Sequence, residues 1–267
     1  NGYVATNEHV VDDNATVGIV LSDGRRYEGT VLGVDQLTDL AVIQIVASGL
    51  LEIERGSTDG LQVGDTAIAV GNPLGLQGGP TVTVGVLSAF DRLVVGDTTE
   101  DDLYGMVQTD APFTRGSSGG ALVDSEGRLI GITTAVGVSD LGPEGLGFAT
   151  PVEVMNRVTD EIIATGSSGH GFLGILGTTQ LASQADGAQA PVGVLVSQLL
   201  DGSSAGLSGI EAGDIITTVN GRNVTTMEGL ISKLRRFGPG DQVDVEIRRG
   251  GTAINVTLEL GDRTENP

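Results

Sequence analysis

Short runs of valine and isoleucine, alternating with threonine, glutamine or aspartate and cut by glycine-containing turns, limit most strongly what this chain can fold into. Alternation with period two gives a strand one core face and one wet face, whereas a helix needs its apolar positions three and four apart. Val17-Gly18-Ile19-Val20-Leu21, the turn Ser22-Asp23-Gly24-Arg25-Arg26 and the return Tyr27 to Val34 read as a hairpin on the Asp-Gly signal. After a turn at Asp35 to Asp39, the run Leu40 to Ile45 reads as another strand, and Thr66 to Val70, Thr81 to Ser88, Leu129 to Ala135 and Gly147 to Val152 repeat the pattern. With 43 glycines and only 3% aromatic residues, the expected class is mainly β, with short strands closing into barrels. Residues 3–6 and 10–11 read as one short apolar strand, with His9 at its end or in a short turn. The polar stretch Asp91 to Asp102 and the segment Gly137 to Gly145 read as surface loops.

A length of 267 residues suggests two domains. Apolar residues at 152, 154, 155, 158, 162 and 163 have the spacing of an amphipathic helix, which would close the first domain, and Gly166-Ser167-Ser168-Gly169 then reads as a flexible linker. The expected division is 1–164, a linker at 165–169, and a second domain at 170–262. In that second domain Gly193 to Val196, Asp214 to Val219, Val243 to Ile247 and Ala253 to Leu258 read as strands. Met227, Leu230, Ile231 and Leu234 recur at helical spacing before Gly238-Pro239-Gly240 stops the helix. That stripe reads as core packing, and a helix beside an exposed strand also makes a groove for an extended peptide.

Composition removes several chemistries. There is no cysteine, hence no disulfide or thiolate site, and His9 and His170 are the only histidines, too few for a multi-histidine metal centre. We expect no metal and no cofactor. A formal charge of −21 repels nucleic acid and anionic membranes, so neither is an expected partner. The acidity reads either as an ordinary solvated surface or as adaptation to high salt. No apolar run is long enough for a membrane span, and Asn1-Gly2-Tyr3-Val4-Ala5-Thr6 reads as the middle of a polypeptide, so a targeting segment is expected to have preceded it.

Gly116-Ser117-Ser118-Gly119-Gly120 reads either as a flexible loop or as a nucleophile loop. In the second reading, glycines let the backbone approach a bound carbonyl, Ser118 attacks it, and the N–H groups of Gly116 and Ser118, helped by Ser117, hold the oxyanion. His9 reads as a surface or satisfied core histidine, or as the base that takes the Ser118 proton. Asp39 reads as a turn aspartate, or as the carboxylate that orients His9. The order His9, Asp39, Ser118 is that of chymotrypsin-type proteases, each residue standing at the edge of an element.

Six ordered blocks make the resemblance specific: Thr6-Asn7-Glu8-His9-Val10-Val11, Thr38-Asp39-Leu40-Ala41-Val42, Gly71-Asn72-Pro73-Leu74-Gly75, Gln108-Thr109-Asp110-Ala111, the serine loop, and Gly147-Phe148-Ala149-Thr150-Pro151. Together they resemble the HtrA/Deg family of serine proteases. Gly171 to Ile175, Gly202-Ser203-Ser204-Ala205, Gly209 to Ile216 and Gly238-Pro239-Gly240-Asp241 resemble that family's appended PDZ domain. The resemblance implies a chymotrypsin-like double β-barrel followed by a PDZ domain. It also implies an exported, ATP-independent endopeptidase that cuts misfolded or unfolded polypeptides after small or medium apolar residues. By position, it places the oxyanion hole in the loop Pro112 to Ser117, a substrate-pairing edge at Ile132, Thr133, Thr134 and Ala135, and the border of the specificity pocket at Gly137 to Gly145. It makes Asp91 to Asp102 the loop that senses the PDZ domain. Phe172, Leu173, Gly174 and Ile175 would receive a peptide C-terminus, with Met227, Leu230, Ile231 and Leu234 as the opposite wall.

Two departures stand out. Ser117 replaces the family's usual asparagine, at a position that contributes mainly backbone. The family's first strands, including the segment that makes its trimer contacts, are expected before Asn1, and a homotrimer is expected only with them. Two rival readings are a catalytically idle or chaperone-like peptide binder using the PDZ groove, and a small-molecule esterase on the same barrels.

Overall fold

The computed structural model describes residues 2–73, 79–96, 102–112, 116–139 and 142–263. The chain divides into two compact units between Ser168 and Gly169. In the first, β1 (Tyr3–Thr6), the single helical turn α1 (Glu8–Val11), β2 (Thr16–Val20), β3 (Arg26–Asp35) and β4 (Leu40–Gln44) are followed by β5 (Thr66–Gly71), β6 (Thr81–Val94), β7 (Leu103–Thr109), β8 (Ala121–Val123), β9 (Leu129–Ser139) and β10 (Gly142–Pro151), then α2 (Val152–Thr165). The first four strands make an open antiparallel sheet in the order β1-β4-β3-β2, and the other six close into a barrel, β10-β7-β6-β5-β8-β9. The mainly β expectation holds, and the hairpin read from Asp23-Gly24 is present, with Val17 opposite Gly29 and Ile19 opposite Tyr27.

Helix α2 joins the sheet to the barrel. Its buried residues Val152, Val154, Met155, Val158 and Ile162 share one core cluster with Leu40 and Val42 of β4, Val123 of β8, and Leu129 and Ile132 of β9. Each such side chain taken out of water contributes about 1.5–3 kcal/mol, so this helix is a principal clamp between the two halves. Gly166 ends it in the left-handed conformation at φ +88°, with its N–H donating to the Ile162 carbonyl. The glycine-serine segment that follows is not wholly loose, because the Ser168 hydroxyl donates to Glu161 Oε2 at 2.8 Å.

Three local expectations are corrected. Val10 and Val11 are helical rather than extended: α1 packs on the sheet through Val11, at 1% exposure beside Ala41 and Ile43, and turns Val10 out at 50%. Two adjacent apolar residues cannot both face one core across a helical turn. Asp91 to Val94 belong to β6, which stays paired with β7 as far as Val94 opposite Leu103 by taking three register irregularities, with Asp91 at φ +55°. Residues 97–101 of the expected loop lie outside the described residues. The segment Gly137 to Gly145 is mostly a hairpin between β9 and β10, with Ser139 opposite Gly142 and residues 140–141 outside the described set.

The second unit contains β11 (Gly171–Phe172), β12 (Ile175–Ser183), β13 (Gln189–Leu199), α3 (Ser204–Leu207), β14 (Ile215–Val219), β15 (Arg222–Asn223), α4 (Met227–Leu234), β16 (Gln242–Arg249), β17 (Thr252–Glu259) and β18 (Gly261–Asp262). Its main sheet runs β12-β13-β14-β16-β17, with β15 on β14 and a small β11-β18 pair apart. A core of Val194, Val196, Ile216, Val245 and Ile247, with Leu230 from α4, holds it together. Arg249 grips the buried Asp214 carboxylate with Nε at 2.7 Å and Nη2 at 2.8 Å, a two-pronged pair that fixes the loop before β14. Among the described residues, no helix is long and apolar enough to cross a membrane.

Candidate active site

The open sheet supplies an imidazole and a carboxylate. His9 stands on α1, directly after β1, and Asp39 in the turn between β3 and β4. The turn holds Asp39 at φ +52°, a region that aspartate tolerates better than most residues. The Asp39 carboxylate meets His9 twice: Oδ1 accepts the His9 backbone N–H at 3.0 Å, and Oδ2 lies 2.7 Å from Nδ1. An ionised carboxylate only accepts, so Nδ1 carries the proton and the neutral ring leaves Nε2 as a lone-pair acceptor. The Asp39 hydrogen bond raises the His9 pKa above its ordinary value; partial burial opposes this, and the charges of Asp39 and Glu8 add to it. Burial and the nearby Asp39 charge also raise the pKa of Glu8.

The barrel supplies the hydroxyl. Ser118 sits between β7 and β8, on a loop that takes positive φ at Gly116 (+90°) and Gly119 (+80°). A Cβ at Gly119 would run into the Thr6 hydroxyl, so only glycine lets the loop lie this close to β1. The loop is pinned from behind: the Ser117 carbonyl accepts from Thr133 Oγ1 at 2.6 Å and from the Gly120 N–H at 3.0 Å. The Ser118 hydroxyl donates to the Thr134 carbonyl at 3.2 Å. Among the described residues no hydrogen bond joins it to His9, so the structure brings the imidazole and carboxylate together but leaves the hydroxyl turned toward the strand. Residues 113–115 of the expected oxyanion loop lie outside the described residues, as do Leu74 and Gly75 of the Gly71 to Gly75 block. A cavity of about 190 Å³ borders Ser117, between Val70, Pro73, Thr83 and Pro112.

Sequence reasoning passed over the residue that links these parts. Asn7 is fully buried, donates from Nδ2 to the Asp39 carbonyl at 2.8 Å and to Thr134 Oγ1 at 3.0 Å, and accepts the Gly119 N–H on Oδ1 at 2.6 Å. Its only signal in the sequence is a polar residue closing an apolar strand two places before a histidine.

The four residues of the expected substrate-pairing edge are engaged differently within the barrel. Ile132 is already paired on both sides, with Thr150 of β10 and Ala121 of β8, and Thr133 exchanges backbone hydrogen bonds with Gly119 and Gly120. Barrel closure uses their edge, and among the described residues β8 is not paired with Thr134 or Ala135.

In the second unit β12 is an edge strand, and α4 is tied to it where the Met227 N–H donates to Thr179 Oγ1 at 3.0 Å. Phe172 ends β11, Leu173 and Gly174 form the turn with Gly174 at φ +72°, and Ile175 opens β12. Of the expected helical wall, Leu230 is a correction: at 1% exposure it belongs to the core, leaving Met227, Ile231 and Leu234 half-buried.

Residues 1–132 match the family model of the trypsin-like peptidase domain and residues 171–260 that of the PDZ domain. The chain is 40% identical over 269 residues to the periplasmic serine endoprotease DegP of Escherichia coli K12, covering 99% of this chain and 56% of that protein. It is 38% identical to the periplasmic pH-dependent serine endoprotease DegQ of the same organism, covering 99% of this chain and 58% of that protein. The chain thus spans just over half the length of these relatives. Among solved structures, the HtrA-type protease AlgW with tripeptide superposes at a TM-score of 0.72, with 34% identity over 98% of this chain and 86% of that one.

Proposed function

This chain belongs to the HtrA/Deg family of serine proteases, and we propose that it is an exported serine endopeptidase that degrades misfolded or unfolded polypeptides under control of peptides bound to its PDZ domain. The observation that carries the reading is the short double contact between His9 and Asp39, in the same unit as a serine flanked by positive-φ glycines. In the proposed mechanism, Ser118 rotates away from the Thr134 carbonyl, gives its proton to His9 Nε2 and attacks the scissile carbonyl. Asp39 holds the ring's tautomer and stabilises the imidazolium. The developing oxyanion is met by backbone N–H groups of Gly116, Ser117 and Ser118. His9 then protonates the leaving amine, the acyl-enzyme forms, and water reverses the sequence. An unfolded segment would pair with the open edge from Thr134, while an apolar C-terminus would add to the edge of β12 beside Met227, Ile231 and Leu234.

The resting hydroxyl, bonded to Thr134 rather than His9, is the one feature that favours the rival peptide-holding reading. Digestion of β-casein with and without hydrophobic C-terminal peptides separates the two. The protease reading expects cleavage by the wild type, faster with peptide and absent in Ser118→Ala. Peptide binding without any cleavage favours the holder.

A further inference from the structure

We propose that Asn7 is a positioning residue: one buried amide that holds the histidine, aspartate and serine segments in mutual register, and on which the rate of the chemical step depends. The inference rests on the serine-protease reading above and deepens it. Asn7 lies two positions before His9, bonds the backbone of Asp39 itself, and receives the N–H of the residue after Ser118. Its remaining proton goes to Thr134, the residue whose carbonyl holds the Ser118 hydroxyl. All three segments therefore converge on a single side chain with no exposed surface.

The direction of the amide is fixed by its surroundings. The Asp39 carbonyl can only accept and the Gly119 N–H can only donate, so Nδ2 and Oδ1 each have one possible place. No other side chain of this size offers two donors and an acceptor in that arrangement. An aspartate would face the Asp39 carbonyl with an oxygen, and an alanine would take the amide donor away from that carbonyl in a buried site, while the Thr134 hydroxyl would keep its bonds to the Ile132 carbonyl and Thr150 Oγ1. The bond to Asp39 also braces a residue held at φ +52°, whose carboxylate must stay 2.7 Å from the imidazole. The bond to Gly119 joins the barrel loop to α1, so that movement of one carries the other.

A residue that merely filled space would alter stability and leave the kinetic constants of the folded enzyme unchanged. Asn7→Ala and the nearly isosteric Asn7→Asp are compared with wild type on a quenched fluorescent peptide carrying a small apolar residue before the cut, and for rate of labelling by a fluorophosphonate. The expected result for both is a fall in kcat of about 10²-fold, with KM changed by less than about threefold, as for a small misplacement of reacting groups. Unchanged kcat in a folded variant overturns the proposal. Should Asn7→Ala fail to fold, Asn7→Asp carries the test, and the wild type gives a further reading: its Asn7 side-chain amide protons should exchange slowly with water, and fast exchange contradicts the proposal. A wild type that neither labels nor cleaves removes the protease reading instead, and a wild type that labels beside unaffected variants removes only the role of Asn7.

Discussion

The open sheet and the closed barrel of the first unit hold their chemistry in different states of readiness. On the sheet, His9 and Asp39 are already joined through both the ring and the backbone N–H. On the barrel, the Ser118 loop is pinned behind by Thr133, yet its hydroxyl points to a strand carbonyl. The difference teaches that an acid-base pair can be built from neighbouring turns of one small sheet, where register sets the distance. A nucleophile arriving from another sheet needs a glycine-rich loop and a final rotation. Under the proposed mechanism, the half with the closed hydrogen-bond ladder holds the group that must still move.

The comparison predicts a graded set of effects. Replacing the barrel's contribution outright should be most severe: Ser118→Ala should lower kcat by about 10⁶-fold, read as loss of β-casein cleavage with folding retained. On the sheet side, Asp39→Asn should cost about 10⁴-fold in kcat by favouring the wrong tautomer of His9. A loss as complete as that of Ser118→Ala would mean that the pair acts as one unit with the serine even at rest.

Titration sharpens the contrast next. The fold raises the His9 pKa, so protonation of His9 favours folding; that contribution is fully present below the unfolded value of about 6.5 and lost as pH rises through the higher folded value. Activity runs the opposite way, since the base must be neutral. The acid limb of kcat/KM should lie above 6.5, and the NMR titration of the His9 ring should move down in Asp39→Asn. A ring that titrates identically in both proteins breaks the claim that the sheet side is preassembled. The smallest effect concerns the barrel's pin: Thr133→Val removes the hydroxyl donor to the Ser117 carbonyl and should cost about 1 kcal/mol in urea unfolding.

What the sequence made legible follows the strength of its local signals. The Asp23-Gly24 turn, with Gly24 at φ +86°, and the apolar stripe of α2 were readable because turn chemistry and period act within a few residues. Order and flanking residues singled out His9, Asp39 and Ser118, and the structure joins the first two. The helical form of α1 was not, because four residues carry no period and only docking of Val11 on the sheet decides it. Strand β12 escaped because an edge strand keeps few buried positions: Leu176 and Leu181 are about half exposed, at 51% and 50%. The role of Asn7 was hidden for another reason, since its partners lie 32 and 127 residues away and no local pattern records them.

The most direct test of the account is mass-spectrometric mapping of a fluorophosphonate adduct on the folded chain. The account predicts one adduct, on the Ser118 hydroxyl, forming faster as pH rises through the His9 pKa and absent in Ser118→Ala. A folded protein that takes up no adduct, or carries it on another residue, would contradict it.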